Sequence, residues 1–147
     1  MNDHTYKERD WVGRKAERSV LITPELLDAF VSLSGDGNPL HADDGYAQAQ
    51  GFRGRVAHGL LVGALISGLV GMELPGRPGI LQGVELSFHN PCYVGDRIQI
   101  AAEVTEFFES VQVAVLQVVV RNAVGLSIAT GKVQSGVGMK SDGRAER

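Results

Sequence analysis

Asp36 and His41 lie five positions apart in Ser34-Gly35-Asp36-Gly37-Asn38-Pro39-Leu40-His41. Gly37, Asn38 and Pro39 do not continue a helix comfortably, so the chain must turn between the acid and the imidazole. A turn of that kind can bring the Asp36 carboxylate and the His41 ring to one side of a pocket. Two proton-handling groups on one short loop suit general acid–base chemistry on water. Taken singly, Asp36 also reads as a turn-former and His41 as a structural partner of the next helix start.

The elements that must position this loop follow from the flanking pattern. Arg18 to Ile22 reads as a short strand. Thr23-Pro24-Glu25 reads as a helix start, with Thr23 as N-cap, Pro24 in the first helical position and an acid in the first turn. Leu26, Leu27, Phe30 and Val31 share one face of that helix, which ends near Ser34-Gly35 and delivers Asp36 into the turn. Asp43 or Asp44 can cap a short helix through Gln50. Gly51 to Arg55 is a loop carrying Arg53 and Arg55. An apolar helix from His58 to Met72 follows, and Leu74-Pro75-Gly76-Arg77-Pro78-Gly79 stops it.

Beyond Ile80 the hydrophobic period becomes two. Val84, Leu86 and Phe88 alternate with Glu85, Ser87 and His89, and later segments alternate likewise. The pattern predicts an antiparallel meander of four strands near 80–89, 96–107, 111–121 and 125–136. One long apolar helix before a curled antiparallel sheet implies an α+β fold in which the sheet wraps the helix.

The 147 residues fit one domain spanning 1–147, with ends near 1–8 and 138–147 expected to be flexible. At 44% hydrophobic residues the chain can bury a core. A formal net charge of −3, with no dense Lys/Arg run, argues weakly against nucleic acid as a partner. Cys92 is the single cysteine, so an intramolecular disulfide and a Cys-rich metal site are both excluded. Residues 59–72 are too few to span a bilayer and are interrupted by glycines, so no membrane association is expected. With a polar N-terminal stretch lacking an apolar signal, the simplest localisation is cytoplasmic.

Gly35-Asp36-Gly37-Asn38-Pro39-Leu40-His41, followed by Val56-Ala57-His58-Gly59 opening an apolar helix, resembles the MaoC-like (R)-specific enoyl-CoA hydratases, or hydratase 2. Leu86-Ser87-Phe88, Asn90-Pro91 and Tyr93-Val94-Gly95-Asp96 resemble the strand and turn that follow in that family. The resemblance covers roughly residues 18–136. It implies a hot-dog fold and the reversible hydration of trans-2-enoyl-CoA thioesters to (3R)-3-hydroxyacyl-CoA, without a cofactor. It implies a homodimer as well, since eukaryotic members carry two such halves in one chain. By the same resemblance Asp36 and His41 hold and activate the catalytic water, and Asn38 shapes the loop. The Gly59 N–H binds the thioester oxygen.

The residues themselves support parts of this. Gly59 opens a helix, where free N–H groups and the positive dipole end meet a developing oxyanion, although it also suits tight packing. Gly63, Ser67 and Gly71 form a stripe of small residues that reads either as an acyl tunnel or as close helix–sheet packing. Arg53 and Arg55 read either as contacts for CoA phosphates or as a solvated loop. His58, next to Gly59 but free to point away, is given a structural role, and His89 and His4 are expected to be bystanders. No metal site is expected, because the His and carboxylate spacings match no helical ligand motif. Two other functions stay open: a hot-dog acyl-CoA thioesterase, and a non-catalytic acyl-thioester-binding subunit.

Overall fold

The structure, a computed structural model, describes residues 6–77 and 79–138. Strand β1 (Lys15–Leu21) leads to helices α1 (Pro24–Ser34), α2 (Pro39–Ala42), α3 (Asp44–Ala49) and α4 (Gly59–Met72). Strands β2 (Gly79–Phe88), β3 (Arg97–Phe108), β4 (Val113–Asn122) and β5 (Ser127–Val137) complete the chain. Among the described residues no helix is long and apolar enough to cross a membrane.

All five strands join one antiparallel sheet in the order β1-β3-β4-β5-β2. This corrects the four-strand meander expected from the alternation. Only β3, β4 and β5 are consecutive neighbours. β2 crosses to the outer side of β5, and β1 takes the opposite edge beside β3. Alternation reveals which residues share a face, but carries no information on which strand is adjacent.

The inner face of the sheet is legible in its register. Ile100 pairs with Val120 and Val120 with Ala129, while Val104 pairs with Leu116 and Leu116 with Val133. These residues pack against Leu61, Val62, Ile66, Leu69 and Val70 of α4 in one buried core. Both edge strands, β1 and β2, touch α4, so the sheet curls around the helix. The helix is nevertheless not enclosed. Leu60, Ala64, Ser67 and Gly71 stand exposed on its remaining face.

Local signals set the helix ends. Thr23 Oγ1 accepts from the Leu26 N–H, with Pro24 at the first helical position. Gly35 ends α1 in the left-handed conformation, φ 75°, which glycine adopts without a Cβ penalty. Asp43 caps α3 through a 2.8 Å bond from the Tyr46 N–H. Most of the expected flexible ends, and His4 with them, lie outside the described residues. Tyr6 and Glu8 are tied down: their N–H groups donate to Gln112 and Glu109, and Tyr6 meets Trp11 edge-on.

Candidate active site

The loop after α1 is built by side chains that bond to its own backbone. Ser34 Oγ donates to the Phe30 carbonyl at 2.6 Å and accepts the Asp36 N–H at 3.1 Å. Asp36 Oδ1 accepts the Asn38 N–H at 3.3 Å, and Asn38 Oδ1 caps α2 by accepting the Leu40 N–H at 3.0 Å. Asn38 therefore shapes the loop as an N-cap. The turn expected at Gly37-Asn38-Pro39 is present, but Pro39 starts the one-turn helix α2, which the sequence reading missed. His41 rides on that helix.

With Oδ1 engaged by the loop, Asp36 Oδ2 is left to face two imidazoles. It lies 3.9 Å from His41 Nε2 and 4.0 Å from His58 Nε2. His41 Nδ1 sits 2.6 Å from the Val56 carbonyl oxygen. A carbonyl only accepts, so Nδ1 carries the proton, and in the neutral ring Nε2 bears a lone pair toward Asp36. Both facing atoms are then acceptors, too far apart to bond directly. A water molecule donating one O–H to each satisfies both.

His58 does not point away but packs into the site. Its ring stacks on His41 with centroids 3.7 Å apart and planes at 25°, and it is only 3% exposed. Asp36, His41 and His58 offer three ligand atoms within 4.8 Å of one another, a cluster the sequence spacing did not suggest. His58 Nε2 lies 3.0 Å from the Asp36 main-chain oxygen, which only accepts, so that nitrogen carries a proton and has no lone pair to offer an ion. The arrangement suits proton handling better than coordination.

Beside His41 is a cavity of about 390 Å³, lined mainly by apolar groups including Leu40, Val62 and Phe88 together with Gly59. Gly59 occupies the first turn of α4, where backbone N–H groups lack helical partners. A Cβ at Gly59 would lie 3.0 Å from the Phe88 ring, so glycine is also required for close packing there. His89 lines the same cavity, its Nε2 2.7 Å from Thr130 Oγ1. Cys92 lines the cavity floor. Burial, then the Asp96 charge, push its thiol up to about 12.

The remaining expected site residues are placed differently. Gly63, Ser67 and Gly71 do not line this cavity. Gly63 packs against Leu86, Ser67 is exposed and Gly71 has open space beside it. Arg55 does not face solvent: its Nε donates to the His41 carbonyl at 2.7 Å and its guanidinium meets Asp28 Oδ1 at 2.5 Å. Arg53 is 69% exposed, lies over the Tyr93 ring and pairs with Asp96 at 3.2 Å. It borders a second depression of about 570 Å³ that shares Pro91 with the first.

Comparison with known proteins gives the family and the fold. Residues 12–125 match the family model described as MaoC like domain. An (R)-specific enoyl-CoA hydratase of Aeromonas caviae is 38% identical over 121 residues, covering 82% of this chain and 90% of that protein. The solved structure of the A. caviae (R)-hydratase involved in PHA biosynthesis superposes with a TM-score of 0.83 at 36% identity, covering 86% of this chain and 96% of that one. The unliganded R-hydratase PhaJ1 of Pseudomonas aeruginosa gives a TM-score of 0.83 at 35% identity, covering 88% and 83%. The curled sheet around α4 is thus a hot-dog fold, and the chain belongs to the MaoC-like domain family.

Proposed function

We propose that the protein is a hydro-lyase that reversibly hydrates trans-2-enoyl-CoA thioesters to (3R)-3-hydroxyacyl-CoA. The observation that carries this reading is the pair of facing acceptors, Asp36 Oδ2 and His41 Nε2, 3.9 Å apart beside an apolar cavity. Similarity to the A. caviae and Rhodospirillum rubrum relatives, both (R)-specific enoyl-CoA hydratases, supports it and supplies the stereochemistry.

The chemistry follows from the positions. The thioester carbonyl oxygen, held by the Gly59 N–H, draws electron density from the conjugated double bond. The water shared by Asp36 and His41 loses a proton to this pair, and its oxygen bonds to the β-carbon. Negative charge builds on the carbonyl oxygen, where the helix N-terminus stabilises it. A proton returned to the α-carbon completes the addition. Each acid–base group typically contributes about 10²–10⁴ in rate. The reaction is redox-neutral and draws on no electron-carrying cofactor.

Arg53 offers a cation at the outer end of the site for CoA phosphates, with Arg97 beside the same depression. Arg55 is spent on His41 and Asp28 and is assigned to the loop. A homodimer fits the surface: β2 is an edge strand, and it adjoins the open face of α4 through the Gly59–Phe88 and Gly63–Leu86 contacts. Leu60 of that face and Ile80 of β2 are exposed, apolar surface that a second copy would cover. An acyl chain running along Gly63, Ser67 and Gly71, outside the cavity of the single chain, would then be covered by the partner. We assign the protein to the cytoplasm.

The test is incubation with a trans-2-enoyl-CoA, following loss of the conjugated absorbance, free thiol release and product configuration. Hydration to the (3R) alcohol without thiol release is expected. Thiol release without hydration would instead identify a thioesterase.

A further inference from the structure

We propose that His58 is a positioning residue for the Asp36–His41 pair, its Nε2–H tying down the Asp36 backbone while its ring carries His41. The inference rests on the hydratase reading for its kinetic consequence, but not for its geometry. His58 Nε2 lies 3.0 Å from the Asp36 main-chain oxygen, 22 residues away in sequence. That oxygen only accepts, so the proton sits on Nε2. One face of the ring meets His41 at 3.7 Å and the Phe30 ring lies 4.7 Å away at 51°. His58 thus joins the two halves of the site: the acid through its backbone, the imidazole through its ring.

The cost of this arrangement argues that it is more than filling. His58 Nδ1 is buried with no hydrogen-bond partner among the described residues. A buried polar nitrogen left unpaired is unfavourable, and a phenylalanine of similar shape would avoid it. His58 is also the N-cap of α4, yet its side chain makes no capping bond. What the imidazole supplies, and an apolar ring does not, is the donor to Asp36. Without that donor the Asp36 carbonyl loses its partner and the loop can rotate Oδ2 away from His41 Nε2.

Glutamine places an N–H at the same number of bonds from Cβ as His Nε2, whereas phenylalanine keeps the ring and loses the donor. His58→Phe should lower kcat on the order of 10–10²-fold, the scale of a small misplacement at a reacting centre, with KM changed less than about twofold. His58→Gln should recover most of kcat. In the wild type, nitrogen-15 NMR of the imidazoles should show the Nε2–H tautomer for His58 and Nδ1–H for His41. A wild-type kcat in His58→Phe, a loss carried by KM, or a loss in His58→Gln as large as in His58→Phe would each overturn the proposal. So would an Nδ1–H tautomer at His58, a result that needs neither a folded phenylalanine variant nor a turnover assay. Absence of hydration by the wild type would remove the activity reading alone and leave the tautomer measurement to decide the positioning.

Discussion

Arg55 donates through Nε to the carbonyl oxygen of His41 at 2.7 Å, and the same guanidinium reaches Asp28 of α1. The backbone that carries His41 is therefore fixed to the framework by an arginine 14 residues downstream. Lysine cannot hold two acceptors with one planar fork. Arg55→Lys is expected to destabilise the protein by about 1–3 kcal/mol, because the side chain is only 13% exposed and leaves an unpaired carbonyl. In a thermal melt that is a fall of roughly 2–4 °C per kcal/mol. The activity loss should fall on kcat. A rise in KM for CoA thioesters with an unchanged melt would return Arg55 to the phosphate-binding role that its sequence context suggested.

Arg53 is the arginine expected to touch coenzyme A. Being exposed and paired with Asp96, it is worth little in isolation. Arg53→Ala should raise KM for an enoyl-CoA roughly two- to fivefold and leave KM for the matching pantetheine thioester unchanged. Equal effects on both substrates would place its role elsewhere.

Ser67 separates the two readings of the small-residue stripe. It is exposed in the single chain, so a leucine there overpacks nothing within the subunit. Ser67→Leu is expected to depress kcat/KM for long enoyl chains, to spare the shortest, and to leave the melting temperature nearly unchanged. A flat chain-length profile would mean that the acyl group does not pass along this face of α4.

Cys92 gives a pH dependence of stability with a defined sign. Burial and Asp96 raise its thiol from 9.0 to about 12 in the folded protein. Below about pH 9 both states keep the proton and nothing is lost. Between about 9 and 12 the unfolded chain releases it while the folded protein does not, so stability falls as pH rises. Cys92→Ala should flatten the stability curve in that window. In the native wild type the thiol should react with iodoacetamide far more slowly than in the unfolded chain, because the thiolate is the reactive form. Rapid native alkylation at pH 8 would contradict the burial.

Local chemistry was legible in the sequence because its causes are local. Thr23 and Pro24 announce α1 through a cap three residues long, and the Asp36–Asn38–His41 loop is closed by its own side chains. What stayed hidden depends on partners far along the chain. The placement of β2 beyond β5 needs backbone pairing between residues 79–88 and 129–137. The inward aim of His58 needs the Asp36 carbonyl, and the burial of Arg55 needs Asp28. No periodicity records such contacts. One signal could have found His58: its place immediately before Gly59, at the N-cap of the helix whose first turn faces the cavity.

The central claim is that Asp36 and His41 act together on one water. Hydration of a trans-2-enoyl-CoA, followed by absorbance in wild type, Asp36→Asn, His41→Ala and the double variant, tests it most directly. Each single variant should remain folded and lose nearly all activity. The double variant should be little worse than the weaker single, because groups that serve one water as a unit are strongly non-additive. Activity retained by Asp36→Asn, or losses that multiply fully in the double variant, would contradict the account.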